Sequence, residues 1–404
     1  MARPLEGIKV VEVSMWGYVP SAGAVLADWG ADVVKIESPS GDPMRGLTYS
    51  GIKPGTKGLT LMWEIFNRGK RGIVLDLTVP GADELVYRLT AQADVFLTSL
   101  LPAARRKLKI DVEDIRSRNP RIVYAVGSGQ GAHGEDAEKG GYDAISFWAR
   151  SGIASAATPD GHPFPVAMPA GAFGDALSGA LLAGGIGAAL AQRGRTGQGC
   201  VVDGALLATG MWALQPNIVA AHLAEIPEVP RLGRYAIPNP LVNTYPTSDG
   251  RFVSLCMLQG QRFWPGLCRA IGREDLVSDP RFDTDANRAA NIRDCVDTLS
   301  SVFATRTLAE WKAVLATQEG QWDVVQRAGE LVEDPQAVAN GYTQEVDYGD
   351  GRRIRMVSAP IQFDRAPGML RPAPAHGAHT DEVLMALGMD MDQIIEAKAA
   401  GIVG

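Results

Sequence analysis

Between residues 8 and 126 the sequence alternates in a way that leaves few folds open. Short runs rich in β-branched residues, at 8–13, Asp32–Glu37, 72–77, 94–98 and 121–126, are separated by helical stretches such as 20–29 and 81–93. Strands joined through single helices pack back onto one sheet as right-handed crossovers. The pattern therefore predicts an α/β fold, a doubly wound and mainly parallel sheet covered on both faces. Ligands of such sheets bind beyond the carboxyl ends of the strands. The loop after the first run, SMWGYVPSAG, has no GxGxxG, so the usual dinucleotide fingerprint is missing from its place. A literal match, GQGAHG at 129–134, runs into the polar, glycine-broken EDAEKGGYD and reads as a flexible loop. Further on, 200–214 reads as continuous apolar helix.

At 404 residues the chain has material for more than one structural unit. The proline-rich IPEVPRLGRYAIPNPL reads as a linker, and a distinct unit follows it. That unit opens on a hairpin over 243–255, turning at Asp249-Gly250, and continues through helical stretches at 263–271, 287–304 and 308–316. A second hairpin turns at Asp350-Gly351, and the tail beyond Pro360 holds one helix at 380–387. A net charge of −7 argues against nucleic acid or an anionic membrane surface as the main partner. The start, MARPLEGIKVVEV, has no apolar leader core, and no charge-free run is expected to span a membrane. Cys200, Cys256, Cys268 and Cys295 form no CxxC pair and read as reduced thiols of a cytoplasmic protein. The histidines form no HExxH, and His376 and His379 read as ordinary surface residues, so no metal is expected. The absence of GxSxG and GxxxxGK[ST] argues against a serine hydrolase and a P-loop NTPase.

The stretch at 168–199, MPAGAFGDALSGALLAGGIGAALAQRGRTGQG, says most about chemistry. A turn of small residues ends in Gly174-Asp175, and an Ala/Gly/Leu-rich helix follows, closing on Gln192-Arg193-Gly194. Asp175 is the only acid between Asp160 and Asp203. So apolar a helix belongs in the interior, which puts this carboxylate at the mouth of a buried element. There the first-turn N–H groups and the helix dipole favour its ionised form. On these residues alone Asp175 also reads as a simple N-cap. Two basic groups abut strands of the same sheet: Arg68, Lys70 and Arg71, then Arg105, Arg106, Lys107 and Lys109. They would either meet around a polyphosphate ligand or remain two solvated faces.

LEGIKVVEVS, AGAVLADWGADVVKIESPSGDPMR, FNRGKRGIVLDL, NPRIVYAVGSGQG, GGYDAISFWARSG, GAFGDALSG, AALAQRGRTGQG and PAHGAHTDEVLMAL follow one another over nearly the whole chain. This series resembles the class III coenzyme A transferase family, also called the formyl-CoA transferase, carnitine-dehydratase-like or CaiB/BaiF family. The resemblance implies an interlocked dimer. Each chain would have a Rossmann-like large domain from 1–225, a smaller α+β domain from 226–335, and a 336–404 segment that returns to the large domain. It implies that Asp175 is the nucleophile, passing through an aspartyl anhydride and an aspartyl-CoA thioester, with coenzyme A as co-substrate and no metal or other cofactor. The oxyanions need N–H donors, and the small residues at 171–174 and the start of the helix are the candidates.

The family's nucleotide contacts carry over to Leu75, Ser99, Leu100, Lys107 and Tyr142. Ser99-Leu100 stand where Asn-Phe is common, and Lys107 where arginine is common. The sister α-methylacyl-CoA racemases pair the aspartate with a histidine in the block that here reads Gly141-Tyr142-Asp143, so Tyr142 leaves their second acid/base missing. Gly17 stands where oxalate-using transferases have glutamine, flanked by Trp16 and Tyr18, and their glycine-rich lid is replaced by RLGRYAIPN. Trp16, Gly17 and Tyr18 thus become substrate contacts for an acid larger than formate or oxalate: aromatic, branched or dicarboxylic. Arg231 and Arg234 are candidate readers of a second carboxylate. The alternatives are an intramolecular CoA shift, a racemase-like isomerase, or a CoA-binding subunit beside a homologous partner chain.

Overall fold

The computed structural model describes residues 3–404, which form two compact units. The larger comprises the chain up to Thr158, His162–Glu228 and Val332–Gly404; the smaller comprises Pro159–Gly161 and Val229–Leu331.

In the larger unit β1 (Lys9–Val13), β2 (Asp32–Glu37), β3 (Arg71–Val74), β4 (Val95–Thr98), β5 (Val123–Ser128) and β6 (Val201–Ala205) form one parallel sheet in the order β3-β2-β1-β4-β5-β6. This is the doubly wound arrangement the alternating pattern predicted. Successive side chains on a strand point to opposite faces, so the sheet carries two cores. Val10, Val33, Leu97 and Ala125 pack with α1 (Tyr18–Asp28) on one side; Val11, Val34, Phe96 and Tyr124 form the other. The connecting helices are α2 (Leu61–Asn67), α3 (Ala82–Ala91), α4 (Pro102–Lys107), α5 (Val112–Arg116), α6 (Ile153–Ala157) and α7 (Phe173–Thr196), with α8 (Leu206–Ala213) and α9 (Gln215–Ala224) after the last strand.

Three expectations need correction here. The stretch 200–214 is not one helix: Val201–Ala205 is the sixth strand, in register with β5 from Tyr124↔Val201 to Ser128↔Ala205, and only then does α8 begin. The β-branched Val201-Val202 pair suits a pleated edge, and the open edge of β5 supplies the hydrogen-bond partners that decide the matter. Helix α7 starts two residues before Asp175, making Asp175 its third residue and not its N-cap, and it ends on Gly197 at φ 71° instead of Gly194. Finally, α7 is long and apolar enough to cross a membrane by length and composition. Its Leu182, Ala183 and Ile186 are buried with α1 in the core beside the sheet, the role of a core helix.

The smaller unit has a three-stranded antiparallel sheet of β7 (Val242–Pro246), β8 (Phe252–Cys256) and β9 (Trp322–Val324), with α10 (Gly260–Ala270), α11 (Asp285–Ala290), α12 (Ile292–Phe303) and α13 (Leu308–Leu315). The expected helix at 287–304 is two helices broken at Asn291, the first capped by the Thr284 side chain. The chain then adds α14 (Pro335–Ala339) and the hairpin of β10 (Thr343–Asp347) and β11 (Arg353–Val357) to the larger unit. Its tail docks on β3, where His379 Nδ1 accepts from the Gly72 N–H at 3.2 Å and Thr380 Oγ1 from the Val74 N–H at 3.1 Å. Beyond α15 (Thr380–Ala386) lies a helix the sequence reading missed, α16 (Met391–Ala399), although its Asp390/Gln393 capping box was there to be read.

Candidate active site

Strand order reverses between β1 and β4, so the loops that leave their carboxyl ends diverge and open a cavity of about 390 Å³ within the larger unit. The loops are tied at one point, where the Met15 N–H donates to Ser99 Oγ at 3.1 Å. Trp16, Tyr18, Ser99, Leu100, Tyr142 and Asp175 all line this cavity. Leu75 lies instead in a neighbouring cavity of about 200 Å³ that shares Met15, Leu100 and Ala104 with the first. Lys107 is exposed on α4 and lines neither.

Asp175 is 8% exposed and lines the cavity, and its carboxyl has neither a hydrogen bond nor an ion pair among the described residues. Gly17, the N-cap of α1, lies directly against it: a Cβ at position 17 would overlap Asp175 Oδ2. Gly17→Ala should therefore push the carboxylate out of place and lower kcat about 100-fold, read by steady-state kinetics, because displacements of this size at a reacting group cost that much. Burial first, then the neighbouring Asp143, pushes Asp175 up to about 7. This reverses the expectation that helix α7 favours the charged form. The reason is local: the Gly174 and Asp175 N–H groups lower the pKa of Asp143 instead, and the Phe173 N–H is bonded to Ala170 O at 3.3 Å. Gly17 opens α1, and the Tyr18 and Val19 N–H groups that follow it have no acceptor among the described residues.

Asp143 is a functional candidate the sequence reading passed over. It is buried, accepts from the Ala144 N–H at 2.8 Å, and leaves Oδ2 without a full hydrogen bond. Burial raises its pKa against the pull of the surrounding N–H groups. Two carboxyls that each resist ionisation thus stand together at the start of α7.

A buried ionic network holds the loop on the other side. Trp16 sits at φ 69° and Ala172 at φ 60°, conformations that non-glycine residues keep only when their surroundings enforce them. Asp42 Oδ1 accepts the Trp16 N–H at 3.3 Å, and Lys35 donates to Ser14 O at 2.8 Å. Lys35 also pairs with Asp42 at 3.1 Å and Glu12 at 3.2 Å, while Lys70 pairs with Glu12 at 2.8 Å. Burial pushes Lys70 down to about 8. The Trp16 ring then meets Tyr142 edge-on, with centroids 5.5 Å apart.

The first basic group does not reach a common ligand site with the second. Arg68 pairs with Asp28 at 2.8 Å, Lys70 with Glu12, and Arg71 with Asp32 at 2.6 Å. Of the second group Arg105, Arg106 and Lys109 are paired with Asp111, Glu138 and Asp83, which leaves Lys107 without an ion pair among the described residues. Arg231 pairs with Asp160 and Arg234 donates to Ser300 Oγ, both inside the smaller unit. The GQGAHG loop, set aside as mere connection, supplies cavity wall through Gly129 and Gly131, and Asp203 lines the cavity from β6. As a helix, the reading that the apolar pattern of 200–214 suggests, Asp203 would have no such place; the strand supplies it.

Residues 5–380 match the model of CoA-transferase family III. The chain is 31% identical to (R)-2-hydroxy-4-methylpentanoate CoA-transferase of Clostridioides difficile, over 99% of each chain. It is also 31% identical to cinnamoyl-CoA:phenyllactate CoA-transferase of Clostridium sporogenes, over 96% of this chain and 95% of that one. The crystal structure of a CAIB/BAIF family protein from Brucella suis superposes with a TM-score of 0.81 at 28% identity, covering 96% of this chain and 100% of the other. A parallel sheet with its cavity at the strand-order reversal and a full-length match to these enzymes lead to one conclusion: the chain belongs to CoA-transferase family III, enzymes that move coenzyme A between acyl-CoA and carboxylic acids.

Proposed function

We propose that this transferase works by covalent catalysis on Asp175. One carboxylate oxygen attacks the donor acyl-CoA carbonyl; the carbon–sulfur bond breaks, leaving an aspartyl–acyl anhydride and CoA thiolate. The thiolate attacks Cγ of Asp175, releasing the donor acid and leaving an aspartyl-CoA thioester. The acceptor carboxylate then attacks that Cγ and displaces the thiolate, which in turn attacks the acceptor carbonyl and restores Asp175. The tetrahedral oxyanions fall beside the free Tyr18 and Val19 N–H groups at the α1 N-terminus. The observation that carries this reading is a nearly buried carboxylate, without a partner among the described residues, opening on the cavity. Incubation with acyl-CoA followed by hydroxylamine or borohydride should modify Asp175, read by peptide mass spectrometry. An unmodified and fully active protein would refute the scheme, and deuterium wash-in at carbon 2 without any acceptor acid would favour racemisation.

The acceptor is a monocarboxylic acid with a branched or aromatic side chain. Met15, Trp16, Leu101, Val126, Tyr142 and Leu206 give the cavity apolar walls. Its acids are Asp175 and Asp203, and its one lining cation, Arg105, is held by Asp111 at 2.9 Å. A second carboxylate would find repulsion there. The relatives named for 2-hydroxy-4-methylpentanoate and phenyllactate agree with this choice. Coenzyme A extends toward Leu75 and Lys107, with Ser99, Leu100 and Tyr142 along the way. The working form is a dimer, identical chains being the simplest case and a homologous partner the alternative. Its support is the exposed apolar surface on α7, α8 and α9, which includes Leu181, Trp212 and Leu223 at 56%, 71% and 77% exposure. Four free cysteines fit the reducing cytoplasm.

A further inference from the structure

The edge-on contact of Trp16 and Tyr142 joins two cavity walls that are anchored separately. Trp16 belongs to the loop after β1. Asp42 holds its N–H, its ring packs on the cluster of Met44, Met62, Trp63 and Phe66, and the next residue, Gly17, lies against Asp175. Tyr142 comes just before the π-helical segment Asp143–Ala149. Its carbonyl accepts the Ser146 N–H at 2.8 Å, and the preceding Gly141 packs so closely on Gly129 that neither could carry a Cβ. Phe147 of the same segment lies against Gly174, the residue before Asp175. Both backbones are therefore fixed, and each is tied to the surroundings of the nucleophile.

Tyr142 is the side that can turn. Trp16 is half-buried, whereas Tyr142 is 53% exposed, and its hydroxyl has no hydrogen-bond partner among the described residues. What ties its ring to the opposite wall is the contact with Trp16, with centroids 5.5 Å apart and planes at 90°. Such a contact shifts a population by about tenfold at most, so rotation about the side-chain bonds can break and remake it. The covalent scheme needs both events. A thioester must reach a carboxylate that is only 8% exposed, and water must then be kept from it. Where water does reach an aspartyl-CoA thioester, its oxygen bonds to Cγ, the carbon–sulfur bond breaks and one proton of the water passes to the thiolate. Free coenzyme A then leaves a regenerated aspartate. We infer that Trp16 and Tyr142 form an aromatic gate beside Asp175: Tyr142 turns aside to admit the thioester and closes back toward Trp16 while the aspartyl intermediates last, which keeps the enzyme a transferase and not a thioesterase. The assignment rests on the reading of Asp175 as nucleophile.

The test compares hydrolysis with transfer in one protein. Cinnamoyl-CoA and 2-hydroxy-4-methylpentanoyl-CoA are each incubated with their own acid in isotope-labelled form. Exchange of label into the ester is read by mass spectrometry, and hydrolysis by the free thiol released without added acid. Trp16→Ala and Tyr142→Ala should each raise the ratio of hydrolysis to exchange about tenfold or more, since the contact and the bulk that exclude water are gone. Tyr142→Phe keeps the ring and should leave the ratio within about twofold of the wild type. The double alanine variant should be little worse than either single one, because each removal breaks the same contact. The ratio cancels any shared loss of folding or of CoA affinity. An unchanged ratio in the two alanine variants, with Asp175 still labelled by acyl-CoA and hydroxylamine, overturns the gate alone. A rise in Tyr142→Phe as large as in Tyr142→Ala overturns it too, giving the role to the hydroxyl. Exchange in a wild type that never labels Asp175, or neither exchange nor label with either ester, brings down the nucleophile reading and the gate with it.

Discussion

Asp175→Asn should abolish CoA transfer, by about 10⁴-fold or more, and at the same time make the protein more stable. Both effects have one cause. The carboxyl is held at about 7 in the folded chain, chiefly by burial and then by Asp143, whereas an ordinary aspartate titrates at 3.8. Below pH 4 it is protonated folded or unfolded and contributes nothing. As pH rises from 4 to 7 the unfolded chain gives up its proton and the native state retains it, so stability falls across that window and stays lowered above it. Asparagine has no proton to lose. It should be worth about 2–4 kcal/mol at pH 8, with little effect near pH 4, as measured by calorimetric melting at both values. A variant less stable at every pH would mark Asp175 as a structural cap. The wild-type rate follows the same group: kcat/KM should rise with pH through a midpoint near 7, since only the carboxylate attacks. Because Asp143 stands beside it, that midpoint belongs to the pair and not to Asp175 alone. A profile flat between pH 5 and 8 would contradict the assignment.

Lys35→Met should be the most destabilising single change around the site. Lys35 and its partners Glu12 and Asp42 are buried, and Lys70 is the other cation of the group. Removing Lys35 leaves a buried negative charge uncompensated, at a cost of about 3–5 kcal/mol, visible as a lower urea midpoint. It also frees Ser14 O and loosens Asp42, whose Oδ1 holds the Trp16 N–H in its left-handed turn. Adding Asp42→Asn restores charge balance while keeping an oxygen for Trp16, so the double variant should recover part of the stability. Strict additivity of the two changes would show that Lys35 and Asp42 do not act as a unit.

The parallel sheet was legible because strand and helix periodicity depends on neighbours a few residues apart, and Asp32–Glu37 was placed to the residue. The sixth strand was not. Val201–Ala205 becomes a strand only because β5 offers it an edge, and nothing within the segment announces that edge. Asp175 stood out by its isolation in an apolar stretch, and the resemblance assigned it a role; Asp143 and Asp203 had no such signal, and only the fold brings Asp143 near Asp175 and Asp203 into the cavity wall. The basic clusters misled because a run of charge does not reveal that Arg68 and Lys70 meet buried acids from other parts of the chain.

The sequence by itself determined the α/β class, the two faces of the sheet and the apolar helix behind Asp175, since hydrophobic period and turn chemistry are written locally. Only the tertiary structure decided that this carboxylate resists ionisation, that Gly17 at the start of α1 lies against it, and that Tyr18 and Asp203 share its cavity. Desolvation and convergence are properties of what surrounds a residue, and those surroundings come from segments far apart in the chain.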